Sequence, residues 1–201
     1  MSSDIFCTSY IEITSHITLQ HVFQTMQPNT DLRSIDSERI GKGWRTFYDK
    51  FHTTMEQILS QNNGKILPHS KYYGRVGCYF PKTSDSADED AFMDVLECCL
   101  KQLERQHSLS VEMTHEKLPN IFYKIGADYR PLNWTLSDEI NRMVSSGPAY
   151  EIWRNTSTNT ASLGHDLYKV VTTFPRVQEK YLIERIGSLT PPVYSLSRSA
   201  L

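Results

Sequence analysis

The 201-residue sequence has little of what usually marks a dedicated chemistry. It contains no G-x-x-x-x-G-K-[ST] and no G-x-G-x-x-G, so neither common phosphate-binding loop is present. It has no H-E-x-x-H and no C-x-x-C, the short spacings that let paired ligands converge on zinc. It has no G-x-S-x-G elbow to expose a serine nucleophile. No run approaches the roughly 18 apolar residues of a membrane span. Glycine and proline number 9 each, which excludes collagen-like and low-complexity chains. No charge of one sign dominates: 21 Lys and Arg face 23 Asp and Glu, a formal charge of −2. That balance argues against a dedicated nucleic-acid binder.

What remains is an ordinary globular composition, 39% hydrophobic and 22% charged. A chain of this length buries roughly 70% of its unfolded surface and needs no metal or disulfide staple. The start, Met1 to Thr8, has no basic segment followed by an apolar one, so no secretory signal is expected. The four cysteines, Cys7, Cys78, Cys98 and Cys99, read as reduced, mostly buried thiols in a cytoplasmic protein. No cofactor and no metal site is expected. The pairs His16/His21 and His107/His115 have no cysteine pair beside them, and Gly41-Lys42-Gly43 is too short to cradle a phosphate.

Periodicity supplies the elements. Residues 5–13 alternate as a strand. Ile40, Trp44, Phe47, Phe51, Met55, Ile58 and Leu59 form one helical stripe, ended by Asn63-Gly64. Tyr72 to Phe80 alternate as a second strand. Phe92 to Leu103 repeat at helical spacing behind an acidic run that suits a helix N-terminus. Alternation at Leu109, Val111 and Met113, and again at Ile121, Tyr123 and Ile125, predicts two further strands. A short helix starts at Thr135 or Ser137 and closes at Gly147-Pro148. Brief strands are expected at Tyr150–Trp153 and Leu167–Phe174, and Pro175 opens a last helix ended by Gly187. Strands that are not each followed by a helix predict an α+β single domain. Its sheet would be mixed or antiparallel and packed with about four helices. The globular domain would cover 1–187. Residues 188–201, rich in Ser and Pro, read as a flexible C-terminal tail.

That tail holds Pro191-Pro192-Val193-Tyr194, a PPxY sequence. Two prolines preset a polyproline II ridge, and Tyr194 adds a ring and a hydroxyl anchor. The motif resembles ligands of WW domains, including those of HECT-type ubiquitin ligases, and the late-budding motifs of enveloped-virus matrix proteins. The resemblance implies a non-enzymatic structural or interaction protein, in its sharpest form a viral matrix-like assembly protein. Pro191, Pro192 and Tyr194 would recruit a WW-domain partner, with self-association of the domain. A role at a membrane surface lacks the basic tail it would need. Two other readings compete. Cys98, off the apolar stripe of its helix, is the candidate nucleophile of a small cytoplasmic enzyme. Tyr72, Tyr73, Arg75 and Tyr79 interleave aromatics with a cation and resemble the aromatic strand of an RNA-recognition motif.

Overall fold

The computed structural model describes residues 4–14, 37–68, 70–71, 74–82, 88–116, 118–130, 134–142 and 147–200, and only the backbone of 37–42, 44 and 141. Among these, thirteen elements follow one another: β1 (Ile5–Ile13), α1 (Ser37–Gln61), β2 (Lys65–Ile66), β3 (Arg75–Pro81), α2 (Asp88–His115), β4 (Tyr123–Tyr129), α3 (Leu136–Asn141), α4 (Pro148–Arg154), β5 (Ala161–Gly164), α5 (His165–Val171), α6 (Pro175–Lys180), β6 (Tyr181–Arg185) and β7 (Val193–Arg198). The strands form one seven-stranded sheet in the order β2-β3-β1-β4-β5-β7-β6. Every neighbouring pair is antiparallel except β4 and β5, which run parallel. The expected α+β class with a mixed sheet is therefore found, with six helices among the described residues rather than about four.

Strand alternation divides the sheet into two faces. Cys7 and Ile11 of β1 point to one face with Val76, Cys78 and Phe80 of β3 and Ile125 and Ala127 of β4. The same core takes in Leu163, Tyr194 and Leu196 from the far strands. The long helices α1 and α2 cover it with Phe47, Phe51, Met55 and Leu59, and with Phe92, Val95, Leu96 and Cys99. These residues lie three and four apart, as helical stripes do. Trp44, expected on the first stripe, has its side chain outside the described residues. On the opposite face Tyr10 meets the rings of Tyr150 and Trp153 of α4, with centroids 5.2 and 5.3 Å away. Beside them Ile5, Leu67 and Tyr79 form a small second cluster with Leu136.

Four predicted elements differ. Leu109–Met113 is not a strand but the end of α2. Leu109 and Met113 are buried and four apart, while Val111 between them is 45% exposed. Tyr150–Trp153 is helix α4 and Leu167–Val171 lies in helix α5, because their buried residues also recur at helical spacing. The last helix stops at Lys180, and the chain continues as strand β6. The expected flexible tail is corrected by β7, a strand seated between β5 and β6. Tyr194 and Leu196 point into the core, and Ser195 and Ser197 point away.

Candidate functional site

Parallel strands bring their carboxyl ends to the same edge, and the crevice just outside them is where α/β sheets commonly hold ligands. Here β4 ends beside Asp128 and β5 ends at Gly164, and a cleft of about 590 Å³ opens there. That volume is within the roughly 300–1,000 Å³ range of small-molecule sites. Glu151, Ile152 and Asn155 of α4 and its end form one wall. His165 and Asp166 open α5, and Leu189 to Pro192, in the loop between β6 and β7, close the cleft together with Val193 at the start of β7. Arg142, just after α3, completes the lining.

Asp128 lines the cleft from the end of β4. Burial pushes its carboxyl up to about 6; the negative charge of Asp166 adds to this, and N–H groups of Tyr129 and Leu167 oppose it. The Tyr129 N–H donates to Oδ1 at 2.9 Å. A carboxyl with this pKa exchanges a proton near neutrality. Its place depends on Gly164. A Cβ at 164 would lie 2.5 Å from Ile152 Cδ1 and closer still to Asp128 Oδ1. A side chain at 164 would have to displace the Asp128 carboxyl and the end of Ile152. Thr8, opposite Asp128 on β1, and Ser162, on the same face of β5, are buried with hydroxyls that find no hydrogen-bond partner among the described residues.

The cation of the cleft is built by a different segment. Thr135 caps α3: its hydroxyl accepts from the Asp138 N–H, and Asp138 accepts from the Thr135 N–H. The Arg130 N–H donates to the Phe6 carbonyl at 2.6 Å, and the Ile5 N–H to the Trp134 carbonyl at 3.0 Å. Both ends of the segment are thus tied to β1. The Trp134 ring makes cation–π contacts with two guanidinium groups, Arg142 with Cζ 4.0 Å and Arg130 with Cζ 4.6 Å from its centroid. Arg130 is in turn paired with Glu139 at 2.8 Å, the two being 3% and 5% exposed. The lining is therefore two-sided in chemistry. Asp128, Glu151 and Asp166 accept hydrogen bonds, and Arg142 is the one Arg or Lys among the described lining residues. Among the described residues no three His, Cys, Asp or Glu side chains converge as metal ligands.

The residues singled out from sequence are scattered. Cys98 is 0% exposed, and burial together with the neighbouring Cys99 and Cys78 pushes its thiol well up. α1 packs along α2 and buries the flank that sequence periodicity left open. Tyr79 is buried in the second cluster. Arg75 lies opposite Glu12 and meets the Tyr10 hydroxyl. Tyr72 and Tyr73 lie outside the described residues. Pro191 and Pro192 are in the cleft wall. Tyr194 is 8% exposed and stacks on Tyr168 with centroids 3.6 Å apart, its hydroxyl 3.3 Å from His165 Nδ1. Its ring is committed to packing. Asp128, Gly164 and Arg142 were missed, because none belongs to a local motif. The signal was weak: a polar Asp at the end of an apolar strand.

The sequence matches no protein-family model and no curated protein. Solved structures do match in fold. The adenylyl cyclase CyaB from P. aeruginosa superposes with a TM-score of 0.65 at 10% identity, over 100% of this chain and 97% of that one. The guanylate cyclase domain of RhGC from Catenaria anguillulae, in complex with GTP, gives 0.62 at 9% identity over 100% of both chains. The guanylyl cyclase domain of RhoGC from Blastocladiella emersonii gives 0.60 at 10% identity, over 99% and 98%. The whole chain thus has the fold of nucleotide cyclase domains. That finding overturns the reading of the chain as a non-enzymatic, viral matrix-like protein defined by PPxY.

Proposed function

We propose that this chain is a purine-nucleotide domain of the cyclase type. It takes a purine nucleoside triphosphate, with the base and sugar in the cleft at the ends of β4 and β5. The observation that carries this reading is the full-length superposition on cyclase domains, one of them solved with GTP. The cleft is compatible in chemistry. N–H groups of a purine and hydroxyl groups of a ribose are donors, and Asp128, Glu151 and Asp166 are acceptors. Ile152 and the prolines 191 and 192 supply apolar wall for a ring. The reaction assigned to the domain forms a bond from the ribose 3′-oxygen to the α-phosphorus. The bond from that phosphorus to the pyrophosphate oxygen breaks, and pyrophosphate leaves. The 3′-hydroxyl proton needs an acceptor, and Asp128, whose carboxyl burial pushes up to about 6, is a cleft carboxylate that can take it. Binding is the part the cleft supports, and turnover is the part the fold adds. No helix among the described residues is long and apolar enough to cross a membrane. A cytoplasmic location fits this ligand and the four free cysteines.

The test is calorimetric titration of the full chain with ATP, GTP, CTP and UTP, with cyclic nucleotide measured by mass spectrometry. Micromolar binding of a purine triphosphate, lost in Asp128→Ala, supports the reading. Binding without cyclic product keeps the ligand and removes the reaction. No purine binding at millimolar concentration refutes both.

A further inference from the structure

We infer that His165 contacts the purine ring in this cleft, donating a hydrogen bond from Nε2, and that the Tyr194 hydroxyl positions it. The inference rests on the nucleotide reading and adds which protein group meets the acceptor atoms of the base. A purine presents ring-nitrogen or carbonyl acceptors beside its N–H donors. Asp128, Glu151 and Asp166 answer the donors only, because an ionised carboxylate has no hydrogen to give. The acceptors need an N–H. Asn155 gives its side-chain amide to the Glu151 carbonyl at 2.8 Å. Arg142 is engaged by the Trp134 ring and by Asp138. His165 lines the same cleft, and among the described residues its Nε2 has no hydrogen-bond partner.

The wall behind His165 sets its position. The start of α5 is held to β4 by the Asp128 carboxylate, which accepts from the Leu167 N–H. His165 and Tyr168 lie three residues apart on α5 and so share one helix face. The Tyr194 ring of β7 packs against both. It stacks on Tyr168 with centroids 3.6 Å apart, and lies within 12° of parallel to the His165 ring at 6.2 Å. Tyr194 is itself buried in the core, so the imidazole rests on a fixed surface. The Tyr194 hydroxyl lies 3.3 Å from Nδ1. A phenol gives up its proton far more readily than a neutral imidazole N–H does, so the hydroxyl donates and Nδ1 accepts. The ring proton is then on Nε2, and an imidazolium also carries one there. Nε2 is therefore a donor in either charge state. The phosphates match this donor less well. Asp166 is the next residue and its charge reaches Asp128, so two carboxylates stand beside His165 and both repel a phosphate. A neutral acceptor on the base meets no such repulsion.

The experiment titrates adenosine, guanosine, ATP and GTP into wild type, His165→Ala, His165→Gln and Tyr194→Phe, and records the imidazole nitrogen signals by NMR without ligand. His165→Ala should weaken nucleoside and triphosphate by the same factor, about 2- to 10-fold, the range of one neutral hydrogen bond. His165→Gln, which keeps an N–H donor on a side chain of similar reach, should recover part of the loss. An analogue of the tighter-binding nucleoside that lacks the contacted acceptor should bind wild type and His165→Ala equally, as a double-mutant cycle requires. Tyr194→Phe keeps the stacked ring and removes the hydroxyl. The His165 signals, identified by their absence in His165→Gln, should show the proton on Nε2 in wild type and a mixture of tautomers in Tyr194→Phe. Loss of packing alone does not produce that change. If purines bind and His165→Ala loses only triphosphate, or loses nothing, the contact is overturned and the nucleotide reading stands. If His165→Ala does not fold, His165→Phe, which keeps a ring beside Tyr194, decides by the same comparison. A proton on Nδ1 in wild type, or an unchanged tautomer in Tyr194→Phe, overturns the positioning role. If wild type binds no purine at millimolar concentration, the nucleotide reading fails and the contact falls with it, while the NMR signals still decide the role of Tyr194.

Discussion

Gly126→Ala should lift α4 off the sheet and damage the cleft without touching a lining residue. Gly126 sits in the middle of β4, opposite Tyr10 on β1 and Ser162 on β5. A Cβ there would lie 2.5 Å from the Trp153 backbone nitrogen and closer still to the Ala149 carbonyl oxygen. Both are backbone atoms of α4, so no rotamer change relieves the clash. Ordinary contact near 3.4 Å requires α4 to move by about 1 Å. Overpacking of this kind costs about 1–3 kcal/mol. The Tyr10 ring pairs with Tyr150 and Trp153 add about 0.5–1.5 kcal/mol each where they are lost. Replacing a strand glycine returns about 0.5–1 kcal/mol of chain entropy. At mid-range these terms leave a net loss of about 3 kcal/mol, or about 6–12 °C in melting temperature for a chain of this length. Urea denaturation followed by tryptophan fluorescence measures it, since Trp153 reports on α4. Gly187→Ala is the control: its φ of +51° has nothing within 4 Å of a new Cβ, so only local strain of about 1 kcal/mol is expected. An unchanged midpoint in Gly126→Ala, or an equal effect in the control, would refute the packing argument.

Three further outcomes follow from titration and burial. Asp128 in the folded chain has its pKa raised from 3.8 to about 6, so the folded state binds more protons between those values. Stability should therefore fall as pH rises through that window and level off above it, and Asp128→Asn should flatten the slope, read from denaturation midpoints between pH 4 and 7. An unchanged slope in that variant removes Asp128 as the cause. Glu97 behaves in the opposite sense. Arg198 first, with Lys180 and the Tyr181 hydroxyl, pulls it down to about 2, so its contribution is present above about 4.5 and is lost as pH falls toward 2. Glu97→Gln should therefore be less stable than wild type at pH 5 and nearly equal to it at pH 2, measured by the same titration. Cys98 and the other three cysteines are buried free thiols, so an aromatic disulfide reagent should label none in the native protein and four after unfolding. Rapid native labelling of Cys98 would revive a nucleophile at that position.

The long elements were legible because their patterns repeat often enough to exclude alternatives. The stripe of α1 covers several turns, and the alternation of β1 runs through nine residues. Short segments were not. Leu109, Val111 and Met113 fit a strand by alternation and a helix by the 109–113 spacing, and exposure of Val111 alone decides between them. Leu167 and Val171 pose the same choice among β-branched neighbours. In each case packing against a distant segment selected the period, and that information is not local.

The cleft was illegible for a stronger reason. Its chemistry is distributed over the ends of β4 and β5, the segment after α3, α4 and the loop before β7. The one parallel strand pair creates the crevice, and parallel pairing leaves no local signature because its partners are far apart in the chain. The same topology explains why the C-terminal segment misled. Prolines 191 and 192 look like an exposed ridge while residues 188–201 are read alone. Once β7 inserts between β5 and β6, they must pass the carboxyl end of β5, and so they become a wall of the cleft. Tyr194 follows two residues later and turns inward by strand alternation, onto Tyr168. A motif that signals a recruitment ridge in an unstructured tail is converted, by one strand insertion, into part of the pocket that it adjoins.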